Sequence, residues 1–445
     1  MARIVLSTFG SLGDLHPLIA VGLELRRRGH EPVFATASFY REKLEELGFE
    51  LRPLRPEVSP DDHELLALLM DAKKGSERVL RQVMFPALRD TYADLEKVTR
   101  DADFLAAAEL VYPAPILGET TGIPWATCTL SPLSFFSAYD PPVPPQFPAL
   151  EKLHGIPLFD RGVIRLGRRV TRSWGRPVYE LRRELGLPPA GDPIFEGKFS
   201  PYLVLALFSR LMGEPQPDWP SHTVLAGFAF YDGGGGEGAG LSPELEDFLA
   251  AGEPPLVFTL GSAAVYDAGS FYQESAAAAR QLGQRAVLVL GHNPPPPNLP
   301  PEILAVDYAP FSELFPRAAA IVHQGGVGTC GQGLRSGRPT LVMPFSHDQP
   351  DNAARLRRLG TSRTVRRGRY TAARATQELR ALLEDPGYAR RAEEAGETVR
   401  AEGGVKAACD AIERSLSTTS RPATPADSPG ATPVRSRAAA PPGSG

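Results

Sequence analysis

Twice along the chain a short apolar run ends in a cluster of glycines and opens into a helical pattern. Residues 3–8 lead into Phe9-Gly-Ser-Leu-Gly-Asp-Leu-His-Pro17, and residues 319–323 lead into Gln324-Gly-Gly-Val-Gly-Thr-Cys-Gly331. A strand that feeds a helix through a tight turn returns its next strand parallel to the first, so each passage belongs to a βα unit of a helix-covered parallel sheet. The alternation runs on around both. An amphipathic stretch over 17–28 closes at Gly29, an apolar run follows at 33–36, and helix and strand patterns continue to 225, including a long helical region at 64–100. The run Asp232-Gly-Gly-Gly-Gly-Glu-Gly-Ala-Gly240 has almost no side chain to pack and maximal backbone freedom, after which the alternation restarts at 256–260. The expected fold class is therefore α/β, with two Rossmann-like βα domains facing each other across a cleft. Their expected bounds are 1–231 and 244–416, joined by a Gly-rich linker at 232–243 and followed by a disordered tail at 417–445. That tail has no Leu, Ile, Met or aromatic residue to bury.

Composition narrows the functional classes. Lys plus Arg number 48 and Asp plus Glu 52, for a net charge of −4, whereas a protein that binds nucleic acid by neutralising phosphates is ordinarily basic. Cys128, Cys330 and Cys409 are widely separated, so neither a disulfide framework nor a cysteine zinc cluster is expected, and a reducing compartment fits. No run approaches the roughly 18 apolar residues of a membrane span. The first residues read as a strand and not as a signal peptide, so the expected location is the cytoplasm. No metal site and no cofactor are expected.

Strand-end turns of such sheets are where ligands bind. In the first turn Asp14 suits the cap of a helix opened by Pro17, or a base facing the cleft. His16 suits packing, or a general base near neutral pH. The glycines here are spaced Gly-x-x-Gly, which is not the dinucleotide fingerprint. In the second turn Gly326-Val-Gly328-Thr-Cys-Gly331 formally matches Gly-x-Gly-x-x-Gly, so a dinucleotide oxidoreductase is a rival reading. Both readings share a phosphate on a helix N-terminus, with Thr329 offering a hydroxyl and His323 a donor. After the next strand, Asp348 and Gln349 in Pro344-Phe-Ser-His-Asp-Gln-Pro-Asp-Asn352 are suited to gripping vicinal hydroxyls, although Asp348 also suits an N-cap.

Taken in order, Tyr308-Ala-Pro-Phe, His323-Gln-Gly-Gly-Val-Gly-Thr, Gly337-Arg-Pro and Pro344 to Asn352 resemble the nucleotide-sugar signature of the family 1 inverting glycosyltransferases, which have the GT-B fold. Gly10-Ser-Leu-Gly-Asp14-Leu-His-Pro17 resembles the turn of their sterol glucosyltransferase, glycopeptide-antibiotic glycosyltransferase and rhamnolipid rhamnosyltransferase branch. The resemblance spans residues 1–415. It implies Asp14 as the base ahead of His16, because Asp14 stands where plant members carry their catalytic His, with Glu109 as its carboxylate partner. It implies Tyr308 on the nucleobase, and Gly13, Ser262, His323, Gly325, Gly326, Val327, Gly328 and Thr329 around the diphosphate. Asp348 and Gln349 would hold the sugar. The Glu that grips the ribose in plant members falls at Gly331, beside Gln332.

The reaction the resemblance implies is a metal-independent single displacement. It moves a hexose from a nucleotide sugar, UDP-glucose first and a dTDP-deoxysugar as the alternative, to a hydroxyl of a lipophilic or aromatic acceptor. A non-catalytic sugar-nucleotide-binding auxiliary protein is the reading of another class. Tyr112, Trp125, Phe135, Phe136 and Tyr139 are expected around the acceptor, or in the ordinary core. Arg165, Arg168, Arg169, Arg172 and Arg176, interleaved with Leu166, Val170 and Trp174, read as a solvated face or as a peripheral membrane helix.

Overall fold

The computed structural model describes residues 1–59, 62–153, 155–233 and 240–419. Within them the apolar runs form two separate, wholly parallel sheets. In the first, β1 (Arg3–Ser7), β2 (Glu31–Thr36), β3 (Glu50–Pro53), β4 (Phe104–Ala108), β5 (Trp125–Thr129), β6 (Leu203–Ala206) and β7 (Thr223–Leu225) lie in the order 3-2-1-4-5-6-7. In the second, β8 (Leu256–Thr259), β9 (Ala286–Val289), β10 (Ile303–Val306), β11 (Ala320–His323), β12 (Thr340–Val342) and β13 (Ser362–Thr364) lie in the order 10-9-8-11-12-13. Central strands are covered on both faces, which is why Ile4-Val-Leu6 and Ile321-Val322 read as unbroken apolar runs.

Each sheet reverses its strand order beside its first strand, between β1 and β4 and between β8 and β11. A crevice opens at such a reversal because the connections after the two neighbouring strands leave toward opposite faces. The turns at these four strand ends carry Asp14, Glu109, Ser262 and residues 324–329. Topology alone therefore brings these residues of the expected site to two facing crevices.

The halves are packed together. Phe135, Phe208 and Trp219 of the first share one apolar cluster with Cys330, Leu334 and Leu356 of the second, each such side chain contributing about 1.5–3 kcal/mol on burial. The last helix, Gly404–Thr419, returns to the first half, where Ala408, Cys409 and Ile412 join the core of Leu18 and Ile19. Arg28 ties it down through Asp410 (2.6 Å) and Glu413 (2.7 Å). Residues 404–416, expected in the second domain, thus pack on the first sheet, and residues 417–419 of the expected tail are helical. The rest of that tail and linker residues 234–239 lie outside the described residues, while Pro243 already begins the helix Pro243–Ala250.

The long helical region also departs from expectation. It breaks into His63–Leu69, Gly75–Arg78, the π-helical Val79–Met84 and Leu88–Val98. Asp71 accepts hydrogen bonds from the backbone N–H of Lys73 and Lys74, a turn that competes with the helix, and Pro86 lacks the N–H to continue one. The break has a consequence for the interface, since it sends Met70 into the core of the second sheet.

Candidate active site

The helix after β1 starts at Leu12 and not at Pro17, which lies inside it. Ser11 is the N-cap, its Oγ accepting from Gly13 N (3.2 Å), while Asp14 reaches back to accept from Ser11 N (2.8 Å). This reciprocal pair is a capping box. Gly10, at φ +119°, makes it possible, because a Cβ there would stand 2.2 Å from Asp14 Oδ2. Burial pushes the Asp14 carboxyl up to about 6; the Ser11 bonds oppose the shift and Glu109 adds to it. Asp14 is therefore a helix cap whose carboxyl is poised near physiological pH, as a candidate base requires.

Glu109, just past β4, accepts from Ser134 Oγ (2.7 Å) and from the buried Lys198 (2.6 Å). The Lys198 ammonium lies 5.3 Å from the Phe136 ring and 5.4 Å from that of Phe199. Glu109 thus meets Asp14 through its field and not through a hydrogen bond. Ser134 and Lys198 were not singled out in the sequence, since they join Glu109 only in space. His16 goes elsewhere: its ring lies 5.0 Å from Tyr231, Nε2 is buried with no hydrogen-bond partner among the described residues, and burial, helped by Lys43, pulls it down to about 4. No bond joins it to Asp14, so the structure does not place it with the candidate base.

Across the cleft, Ser262 Oγ donates to Ser11 Oγ at 3.3 Å, joining the turn after β8 to the turn after β1. Gln324 fills the space between the glycine turns and donates to Thr329 Oγ1 (3.4 Å). His323 is fully buried, and burial pulls it down to about 3, so it is neutral at physiological pH. Its Nδ1 accepts from Gly325 N (3.1 Å), which puts its hydrogen on Nε2, an atom with no partner among the described residues. Gly325 sits at φ +89° with its missing Cβ facing Val342 at 2.9 Å, and Gly326 begins the helix Val327–Ser336 with no side-chain cap. A Cβ on Gly328 would meet open space. An uncapped helix start, an orphan N–H and room beside them suit an anion. Tyr308 presents a ring that is 76 % exposed, with Tyr231 in electrostatic reach.

At the far side of the second sheet, Asp348 precedes the helix Gln349–Leu359 but does not cap it with its side chain. Its Oδ2 accepts from Asn352 Nδ2 (2.8 Å). Burial pushes Asp348 up to about 7 against the effect of that bond, and Asp14 and Asp351 add to the rise. Gln349 has a structural task that the sequence did not reveal, its Oε1 accepting from the backbone of Phe345 (2.8 Å) and Ser346 (3.3 Å). Gly331 lies under Phe228, 3.0 Å from where its Cβ would be, and Gln332 is turned to Asp232 (3.2 Å).

Of the expected acceptor aromatics, Tyr112 and Trp125 are core residues. Phe135 lines a cavity of about 320 Å³ with Phe195, Phe199 and Trp219, Phe136 packs on Phe195, and Tyr139 lies under Arg161. On the helix Pro157–Thr171, Leu166 and Val170 are exposed and Arg168 pairs with Glu196. Among the described residues no helix is long and apolar enough to cross a membrane.

Residues 281–406 match the family model of the C-terminal domain of erythromycin biosynthesis protein CIII-like proteins. Over 454 aligned residues the chain is 35 % identical to O-mycaminosyltylonolide 6-deoxyallosyltransferase of Streptomyces fradiae, covering 95 % of this chain and all of that protein. It is 28 % identical to sterol 3-beta-glucosyltransferase of Neurospora crassa, over 93 % of this chain and 27 % of that one. Among solved structures, spinosyn forosaminyltransferase SpnP superposes with a TM-score of 0.68 at 16 % identity over 94 % of this chain and 99 % of that one. The glycosyltransferase VinC, in complex with dTDP, superposes with a TM-score of 0.64 at 19 % identity, over 94 % of this chain and 100 % of that one. With two facing parallel-sheet domains, glycine turns at both order reversals and a full-length relative at this identity, the chain belongs to the family 1 glycosyltransferases of GT-B fold.

Proposed function

We propose that the protein transfers a 6-deoxysugar from a dTDP-sugar to a hydroxyl of a macrolide-type natural product, with inversion at the anomeric carbon. The observation that carries this reading is the facing of the two turns. A carboxylate poised near neutral pH stands on one side of the Ser11–Ser262 contact, and an uncapped helix start with the orphan Nε2–H of His323 stands on the other. In the reaction Asp14 takes the proton of the acceptor hydroxyl, whose oxygen forms the bond to the anomeric carbon. The bond from that carbon to the diphosphate breaks, and the nucleoside diphosphate leaves with the electron pair. Its charge is met by His323, Ser262, Thr329 and the N–H groups of Val327 and Gly328, donors already in place, so no metal is called for.

The expected UDP-glucose gives way to a dTDP-sugar on a local argument. A ribose has a 2′-hydroxyl to satisfy and the deoxyribose of dTDP has none. Where plant relatives carry a ribose-gripping Glu, this chain has Gly331 packed under Phe228, and Gln332 turns its amide nitrogen to Asp232, which leaves a single neutral acceptor, its Oε1, in place of a carboxylate. The sugar end is also short of acceptors, because Gln349 Oε1 is spent on the backbone and leaves Asp348 to receive sugar hydroxyls. A deoxysugar has fewer hydroxyls to satisfy. The Streptomyces fradiae relative, named as an O-mycaminosyltylonolide 6-deoxyallosyltransferase, supports the same choice.

The test is product formation. The purified protein is incubated with dTDP-6-deoxysugars and UDP-glucose against a panel of macrolactones and their monoglycosides. Products are read by mass and by the anomeric configuration of the new bond. The proposal expects a deoxysugar adduct of inverted configuration from the dTDP donor. A retained configuration, or glucose transfer from UDP-glucose in preference, would overturn it.

A further inference from the structure

The side chain of Asn352 touches three parts of the molecule at once. It is fully buried in the helix Gln349–Leu359. One amide hydrogen goes to the carbonyl of Gly325 in the phosphate-side turn (3.0 Å) and the other to Asp348 Oδ2 (2.8 Å). The Gly325 carbonyl can only accept, which fixes the orientation of the amide and leaves Oδ1 for a donor. The donor comes from the other domain, as Ser131 Oγ, just past β5, at 3.4 Å.

The neighbouring residues of the same helix face the same way. Asp351 accepts from Val143 N (3.0 Å) and from Arg355 Nε (2.7 Å), and Arg355 also reaches the Met212 carbonyl (2.7 Å) and Asp140. The helix that begins at the sugar-end residues is therefore gripped by the first domain along 351, 352 and 355.

We propose that Asn352 is a positioning residue that couples docking of the first domain to alignment of the sugar-end carboxylate of Asp348. The inference rests on the transfer reading above and adds to it a route by which the acceptor domain acts on donor geometry. Ser131 holds the amide oxygen, and the amide in turn aims its two hydrogens at the phosphate-side turn and at Asp348. The titratable groups facing Asp348 are the carboxyls of Asp14 from the first helix and Asp351 on its own helix, and the Cys330 thiol from the helix Val327–Ser336, which burial keeps neutral. None of these donates to it. Without the amide, Asp348 keeps its proton to higher pH and stands free to turn.

The experiment compares wild type, Asn352→Ala and Ser131→Ala. Calorimetry with dTDP and with a dTDP-deoxysugar separates diphosphate affinity from the increment due to the sugar, and the pH profile of kcat/KM for the donor follows Asp348. Asn352→Ala should reduce the sugar increment about ten- to a hundredfold, as for loss of a hydrogen bond to a charged group, over and above any weakening of dTDP through the freed Gly325 carbonyl, and move the acidic limb to higher pH. Ser131→Ala, a small change that carries the test if Asn352→Ala does not fold, should keep donor affinity and lower kcat several-fold. An unmoved limb and sugar increment in Asn352→Ala, or a wild-type kcat in Ser131→Ala, would overturn the coupling. Failure of the wild type to bind dTDP at all would instead overturn the donor reading on which it rests.

Discussion

Asp14→Asn should cripple transfer and stabilise the protein, and the two effects should have different pH dependences. The native carboxyl titrates at about 6 where an unperturbed one titrates at 3.8, chiefly because it is buried. At about 1.4 kcal/mol per pH unit, this difference amounts to about 3 kcal/mol. The folded state binds the proton more tightly than the unfolded state, so stability falls as pH rises from 3.8 to about 6 and stays lower above that. An amide at position 14 never ionises and escapes that loss, and its Oδ1 can still accept from Ser11 N. Thermal melting should therefore show the variant a few degrees above wild type near pH 8, with the gap closing near pH 4. Transfer should fall by about two to four orders of magnitude, as for loss of a general base. A variant that melts lower at the higher pH, or whose advantage is the same at both, would refute the burial argument. Near-normal turnover would remove Asp14 as the base.

Further substitutions separate the remaining parts of the site. Tyr308→Ala removes a ring that is 76 % exposed, so the melting temperature should hold while the dissociation constant for dTDP rises about tenfold, as for one stacking contact. His323→Ala deletes the orphan Nε2–H, and calorimetry should show dTDP binding about ten- to a hundredfold weaker. Lys198→Met leaves Glu109 unpaired in reach of Asp14, which raises the Asp14 pKa further. The acidic limb of the kcat profile should then move to higher pH, and an unmoved limb would show that Glu109 and Asp14 do not communicate.

What was legible in the sequence was local. The two glycine turns, the strands before them and the switch from strand to helix are written in consecutive residues, so the double sheet and the placing of Asp14, Ser262 and 323–329 at strand ends could be read directly. The start of the first helix was misread because Pro17 is a strong helix-start signal, whereas Ser11-x-x-Asp14 is a capping box with Asp in place of the commoner Glu. Gln349 and Asp348 exchanged their expected standing for a related reason. A side chain that bonds backbone four residues upstream, or an amide four residues downstream, leaves no periodic trace. Contacts that join distant segments were not legible at all. Lys198 reaches Glu109 across the first half, while Ser131 on Asn352, Met70 in the second core and the last helix on the first sheet are set by the docking of one half on the other.

The most direct test is a calorimetric titration of the wild-type protein with dTDP, UDP and NAD under identical conditions. The account predicts one dTDP per chain, bound about tenfold more tightly than UDP, as for one unsatisfied ribose hydroxyl, and no heat from NAD. Tighter UDP binding would contradict the Gly331 argument. Binding of NAD alone would make the turn at 326–331 a dinucleotide site and contradict the account at its centre.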